Sequence, residues 1–333
     1  MIEVTGLVKK YDEHLAVDNL NFTIDSGRVY GFLGPNGAGK STTLNMITGC
    51  LAATEGSIKI NGHDIYEEPD EAKKCIGYLP EIPPLYTDMT PYEYLKFVSE
   101  IKEIPKEERE VQISDVMEKT QITNVKNRLI KQLSKGYKQR VGIAQAILGY
   151  PEIIILDEPT VGLDPIQIIE IRDLIKELGK DHTVILSSHI LGEVSAICDY
   201  LLIISEGKLV ASDTPENLST KLVGSTKLKI TVKGTLDAVN TALGYLSGRE
   251  ETTFESNQDG DKVAINVSYN SKDDLREEIS LALAKQNCPV LSMTDEEMSL
   301  EDIFLELTCG DDPEAADEAD ESVGEDEEKG EDK

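Results

Sequence analysis

Nine residues, Gly34-Pro35-Asn36-Gly37-Ala38-Gly39-Lys40-Ser41-Thr42, follow the apolar run Val29-Tyr30-Gly31-Phe32-Leu33 and lead into a helical pattern from Thr43 to Thr48. This is a strand, a glycine-rich turn and a helix in immediate succession. The three glycines let the backbone curl so that successive N–H groups point inward, and the positive end of the following helix adds to the same concavity. Such a cradle selects a polyphosphate. In the GxxxxGKS pattern the lysine reaches the β- and γ-phosphates and the next hydroxyl ligates Mg²⁺, roles that fall on Lys40 and Ser41.

Around this unit, residues 2–8 alternate apolar and polar, and residues 19–24 and 56–60 do so more loosely, which predicts short antiparallel strands over the first 65 residues. Tyr11, placed between the first two strands, either stacks on an adenine ring or packs on a hairpin. Residues 73–79 read as a strand, and Pro80-Glu81-Ile82-Pro83-Pro84 after them as a rigid loop. Thr90 as N-cap and Pro91 at the first helical position then open a helix to about Lys102, with further helices to about Thr120 and over 123–130.

Leu133-Ser134-Lys135-Gly136-Tyr137 precedes a helix of small and apolar residues, 141–148. Ser134 and Gly136 there are either an ordinary N-cap or a second anion site at a helix N-terminus. Ile153-Ile154-Ile155-Leu156 is continuously apolar and predicts a strand covered on both faces, hence a parallel sheet. Ligands of such sheets bind at the carboxyl ends of the strands, where Asp157 and Glu158 stand. Asp157 suits Mg²⁺ coordination and Glu158 suits polarisation of an attacking water. Asp164 and Pro165 open a helix to Gly179, residues 183–188 form another strand, and His189 follows at its carboxyl end, within reach of a γ-phosphate or catalytic water.

Taken together these pieces resemble, in sequence and spacing over residues 1 to about 220, the nucleotide-binding subunit of ABC transporters. The resemblance implies a P-loop ABC ATPase domain of the α/β class, with a mixed sheet core, an antiparallel β subdomain and a helical insertion. It also implies bound ATP and Mg²⁺. Tyr11 is then the adenine-stacking residue, Gly34, Pro35, Asn36, Gly37, Ala38, Gly39, Lys40, Ser41 and Thr42 hold the phosphates, and Ser41, Asp157 and Glu81 serve the metal. Glu158 is the general base or water-orienting acid, Glu81 the loop acid beside it and His189 the switch histidine. Ser134 and Gly136 are expected to serve the ATP of a second subunit, with Asp164 at the interface, so the partner is a second copy or a closely related ATPase. Two departures stand out: Glu81 replaces the usual glutamine, and Leu-Ser-Lys-Gly-Tyr replaces LSGGQ. Both resemble the ABC-2 export branch, whose membrane subunit is a separate chain, and imply a position at the inner face of the cell membrane through that permease. There the loop after Glu81 and the helices from Thr90 face the membrane subunit.

Composition sets limits on the alternatives. No apolar run approaches the 18 residues of a membrane span, and Met1-Ile2-Glu3-Val4-Thr5 does not open a signal peptide. The five scattered cysteines fit reduced thiols and a cytoplasmic setting. A net charge of −30, of which residues 311–333 supply −11 through 13 acids and 2 lysines, disfavours nucleic acid as a partner. The competing reading, a soluble ABC ATPase acting on ribosomes or DNA, calls for paired ATPase units or basic surfaces, which this sequence lacks.

The remaining chain predicts a second domain over 226–308, the first covering 1–222. Strands at 227–233, 252–257, 262–268 and 289–294 with helices at 236–246 and 272–286, and a hairpin turn at 257–261, follow the order of a ferredoxin-like α+β unit. Ser299-Leu300-Glu301-Asp302 reads as a helix start, with Leu300, Ile303, Phe304 and Leu307 on one stripe, similar to the closing helix of ABC-2 ATPase subunits. Residues 310–333 have the composition of a disordered acidic tail.

Overall fold

The computed structural model describes residues 1–221, 225–244, 246, 252–270 and 274–296. By contacts the chain divides into Met1–Pro215 and Glu216–Lys333.

In the first unit, β3 (Val29–Leu33), β7 (Ile153–Leu156) and β8 (Thr183–Ser188) are buried at every residue, as continuous apolar runs between two covering layers must be. They are the centre of a six-stranded sheet completed by β6 (Ile76–Leu79), β9 (Tyr200–Ser205) and β10 (Lys208–Asp213), in the order β10-β9-β3-β8-β7-β6. All neighbours run parallel except β10, antiparallel at one edge. The four-stranded antiparallel sheet β2-β1-β4-β5 comprises β1 (Ile2–Tyr11), β2 (His14–Ile24), β4 (Glu55–Ile60) and β5 (His63–Asp64). Ile2, Leu7, Phe22 and Ile58 of this sheet share one core with Phe32 and Ile185 of the parallel sheet and with Leu44 and Ile47 of α1 (Lys40–Ile47). Phe22 meets Phe32 edge to face at 5.4 Å, a preferred aromatic geometry.

After α2 (Pro69–Lys74), the helical insertion holds α3 (Pro91–Ile101), α4 (Lys106–Lys119) and α5 (Lys135–Ile147). The cap of α3 is reciprocal: Thr90 accepts from the Glu93 N–H and the Glu93 carboxylate accepts from the Thr90 N–H. α5 buries Val141, Gly142, Ile143, Ala144, Ala146 and Ile147, and Gly142 is a contact requirement: a Cβ there would lie 2.5 Å from Leu79. α6 (Pro165–Leu178) follows β7, burying Ile171, Leu174, Ile175 and Leu178 on one stripe. The one-turn α7 (Leu191–Val194) follows β8.

Several local expectations change. Lys73 and Lys74 end α2, so the strand begins at Ile76; the acids of Pro69-Asp70-Glu71 at the start of that helix and its lysines at the end suit the helix dipole better than a strand. The helix expected over 123–130 is two isolated 3₁₀ turns, Thr123–Val125 and Ile130–Gln132, with too few hydrogen bonds between them to continue. Tyr11 is the last residue of β1, paired with His14, and α1 starts at Lys40, three residues earlier than the periodicity indicated.

α8 (Pro215–Lys221) spans the division between the units. The second unit contains β11 (Ser225–Lys233), α9 (Leu236–Leu243), β12 (Thr253–Asp259), β13 (Lys262–Asn270), α10 (Arg276–Lys285) and β14 (Val290–Glu296), with sheet order β12-β13-β11-β14 and antiparallel neighbours throughout. This is the ferredoxin-like arrangement. Leu228, Ile230, Val263 and Ile265 of the sheet share a core with Val239 and Leu243 of α9 and Ile279 and Leu283 of α10. The hairpin turn is tighter than expected, Gly260-Asp261 alone, because Gly260 takes φ 64° and lets Asn257 to Asp259 remain in the strand. The predicted closing helix at Leu300, Ile303, Phe304 and Leu307 and the acidic tail lie outside the described residues.

Candidate active site

The phosphate loop leaves β3 and closes on the first turn of α1. Gly37 and Gly39 take φ 83° and 100°, a region open to glycine, and a Cβ on Gly39 would also lie 2.5 Å from the Ala16 carbonyl oxygen. The loop borders an open cleft of about 520 Å³, lined by Tyr11, His14, Ala16, Asn36, Gly37, Gly39, Lys40, Ser41, Thr42, Glu81, Glu158, Val161 and His189. That is the size range of small-ligand sites. Gly34, Pro35 and Ala38 shape the loop from behind. The Lys40 ammonium donates to the Gly34 and Pro35 carbonyls at 2.8 and 3.2 Å, and the Ala38 N–H donates to the Pro35 carbonyl. Lys40 is only 6% exposed, and burial lowers its pKa, opposed chiefly by Glu158 and then by Asp157 and Glu81.

Asp157 and Glu158 follow β7 directly and are 2% and 7% exposed. Burying two adjacent carboxylates is costly unless each is engaged, and each is. Asp157 accepts from Ser41 Oγ at 3.1 Å and from Ser187 Oγ at 2.6 Å. Glu158 puts Oε1 3.7 Å from Lys40 Nζ and Oε2 3.1 Å from His189 Nδ1. Its backbone sits at φ 46°, a left-handed conformation that costs a non-glycine residue about 1–2 kcal/mol and turns the chain sharply after the strand. Ser187 completes the arrangement by accepting the Glu158 N–H at 2.8 Å. Chemically, the site joins a buried ammonium and inward-facing loop at one wall to a carboxylate–imidazole pair at another, with a hydroxyl and a carboxylate of hard-oxygen character between them.

Tyr11 is 45% exposed at the cleft, with Lys9 Nζ 5.0 Å from its ring centroid, so the ring is not buried as hairpin packing. Glu81 also lines the cleft. The structure therefore brings together every expected phosphate, carboxylate and histidine group. It does not bring in Ser134, Gly136 or Asp164. Ser134 caps α5, accepting the Tyr137 N–H at 3.4 Å, and Asp164 caps α6, accepting the Gln167 N–H at 2.9 Å. Ser134 and Gly136 line a separate hollow with Arg140 and Gln167. Ser187, His14, Ala16 and Val161 escaped sequence reasoning. The signal for Ser187 is a hydroxyl at the end of a fully buried strand, two residues before His189; the other three carry none.

With this geometry in view, the similarities are informative. The family profile described as "ABC transporter" matches residues 17–161. The bacitracin transport ATP-binding protein BcrA of Bacillus licheniformis is 36% identical over 314 residues, 93% of this chain and 98% of that protein. The linearmycin resistance ATP-binding protein LnrL of Bacillus subtilis is 32% identical over 309 residues, 92% of this chain and 98% of that protein. This chain belongs to the ABC transporter ATP-binding family. Among solved structures, an ATP-binding subunit of an ABC transporter matches with a TM-score of 0.61 and 30% identity, over 66% of this chain and 92% of that one. The dimeric ATP-binding cassette MJ0796 bound to ADP and Pi matches with a TM-score of 0.59 and 27% identity, over 64% of this chain and 98% of that one. The chain is thus an ATP-binding and ATP-hydrolysing transporter subunit of the exporter type, with the α/β cassette and small α+β unit expected. The alternative action on ribosomes or DNA gains no support from these relatives. No helix among the described residues is long and apolar enough to cross a membrane.

Proposed function

We propose that this subunit binds Mg²⁺-ATP in the cleft bordered by Gly34 to Thr42 and pairs with a second ATPase chain, which completes each site with its own Ser134, Gly136 and Asp164. The observation that carries this reading is the division of the site residues: the cleft holds the phosphate, metal and base groups, while the Ser134–Gly136 turn sits in a different hollow of the same chain. Tyr11 stacks on the adenine. Ser41 and Asp157, already in hydrogen-bond contact, and Glu81 at the cleft supply oxygens of the kind Mg²⁺ takes. The metal's contribution is charge neutralisation on the phosphates.

Glu158 is the water-orienting base. Its carboxylate is held between Lys40 and His189, so its lone pairs have a fixed direction before nucleotide arrives. His189 steadies that carboxylate and faces the terminal phosphate. ATP then favours the paired state and hydrolysis releases it, a population shift driven by differential binding.

The permease is a separate membrane chain, contacted through the loop after Glu81 and through α3, and the subunit works peripherally at the inner membrane face. Ile82, 82% exposed, and Tyr86, 53% exposed and stacked edge to face with Tyr94 and Phe97, give that loop an apolar surface suited to the contact. The similarity over more than nine-tenths of the chain to proteins named for bacitracin transport and linearmycin resistance supports export of an antibiotic-like cargo. Purification of the tagged chain from its native membranes in mild detergent tests the assignment. A co-purifying polytopic membrane protein is the expected result; recovery only with ribosomes or nucleic acid overturns it.

A further inference from the structure

The segment that carries His189 runs straight into α7, the single helical turn Leu191–Val194. One turn has too few hydrogen bonds to hold itself, so its place is set by what it packs against. Val194 closes on β3 at Gly31, where any side chain on the glycine would collide with it. The residue before Val194 is an acid. Glu193 is only 6% exposed and is not among the residues that line the cleft. A carboxylate buried there costs more than a packed apolar side chain, and what it supplies in return is a bond with a fixed direction. Glu193 Oε2 accepts the hydroxyl proton of Thr160, which is likewise 6% exposed, in the loop that follows Glu158. Oε1 stands 3.9 Å from the Arg172 guanidinium of α6, at the edge of ion-pair contact, and among the described residues Arg172 Nε is buried without a hydrogen-bond partner. The arginine therefore offsets the charge loosely, and the bond to Thr160 is the one that fixes the acid.

The segments that leave β7 and β8 are thus tied to each other twice. At the cleft, Glu158 Oε2 meets His189 Nδ1 at 3.1 Å; further along both segments, Thr160 meets Glu193. The first tie borders the cleft, where a nucleotide contests it, and the second is buried on both sides. Between His189 and α7 the chain also bends back on its strand, the Ile190 N–H donating to Ser188 Oγ at 3.0 Å. We infer that Glu193 is a positioning residue for ATP hydrolysis: through Thr160 it fixes His189 against Glu158, and so the aim of the base. Glu158 and His189 keep the roles given to them above, on which this assignment rests. A short hydrogen bond suits the task because it sets both distance and direction, which an apolar contact leaves loose. Displacing a reacting group by about 1 Å costs on the order of 10²-fold in rate. ATP binding, held by the phosphate loop and Tyr11, does not depend on the tie.

The experiment measures kcat and KM for ATP in Glu193→Ala, Thr160→Val and Glu193→Gln, each made in the parent chain and again with His189→Ala, with thermal melts to confirm folding. Glu193→Ala and Thr160→Val both cut the tie, and each is expected to lower kcat by about tenfold or more while KM stays within about threefold. Glu193→Gln keeps an oxygen for the Thr160 proton and is expected to stay within about threefold of the parent. With His189→Ala already present, Glu193→Ala and Thr160→Val are expected to cost less than about threefold more, because a residue that acts through His189 has nothing left to position. A merely structural role predicts the same fractional loss in both backgrounds. That additive result overturns the inference, as does an unchanged kcat in Thr160→Val or a KM that rises as much as kcat falls. Thr160→Val keeps the side-chain shape and decides the same comparison if Glu193→Ala does not fold. Undiminished turnover in His189→Ala alone instead overturns the role of His189 on which the assignment rests.

Discussion

Replacing Glu158 by glutamine isolates the charge of the carboxylate from its shape. In the structure the side chain is 8% exposed, with Oε1 3.7 Å from the Lys40 ammonium and Oε2 3.1 Å from His189. Glutamine retains the size and an acceptor oxygen, so the His189 contact survives through Nδ1 as donor. The lost function is proton acceptance from, and orientation of, the attacking water. That contribution is on the order of 10²–10⁴ in rate, or about 2.7–5.4 kcal/mol of barrier. Binding moves in the other direction. A carboxylate this close to Lys40 competes with the incoming phosphates for the same ammonium and repels them, so its neutralisation leaves ATP affinity unchanged or raises it by up to about tenfold. Single-turnover phosphate release and equilibrium nucleotide binding separate the two quantities, with a thermal melt as a check on folding. Turnover within threefold of the parent refutes the role of Glu158 as base. A loss of ATP affinity as large as the loss of rate refutes the division of labour between Lys40 and Glu158.

The other expectations follow from the same contacts. Lys40→Ala removes the buried ammonium that faces the cleft and leaves Glu158 without its cation; ATP affinity measured by equilibrium dialysis falls by at least about tenfold, and affinity equal to the parent refutes the phosphate-loop assignment. Ser187→Ala strands the buried Glu158 N–H and takes one donor from Asp157, a cost of about 1–3 kcal/mol in urea unfolding, accompanied by slower turnover; an unchanged midpoint and rate refute it. Lys102 donates to the Gln145, Ala146 and Leu148 carbonyls at the carboxyl end of α5, and burial lowers its pKa to about 8 from 10.5. The unfolded chain therefore binds the extra proton between pH 8 and 10.5. Stability relative to Lys102→Met rises with pH across that window, by at most about 3 kcal/mol, and is flat below it. A difference that falls with pH refutes this.

The parallel core was legible because its determinants are local. Four consecutive branched apolar residues at 153–156 permit only a doubly covered strand, and the acids that end it mark the ligand-binding edge of the sheet. Where local and tertiary terms compete, the local pattern alone does not decide the backbone. Residues 73 and 74 have lysines that serve equally on an exposed strand or a helix end, and the acids at 70 and 71 together with the packing of Ala72 decided for the helix. At 123–130 the polar pattern suits a helix, yet the backbone takes two short turns in which the Lys126 carbonyl accepts the Tyr92 N–H of α3, a long-range bond that periodicity cannot register.

For the site, the sequence by itself determined the reactive groups: a glycine-rich loop with Lys40 and Ser41, paired acids at 157 and 158, and a histidine at the end of a strand. Spacing along the chain carries that information because each group stands at the end of a strand in the same parallel sheet, and such ends converge. Only the tertiary structure decided who holds whom. Ser187 is 30 residues from Asp157 and touches both acids, and Glu158 lies between Lys40 and His189. These are contacts between side chains far apart in sequence, set by strand order and helix packing, and no local pattern of residues encodes them.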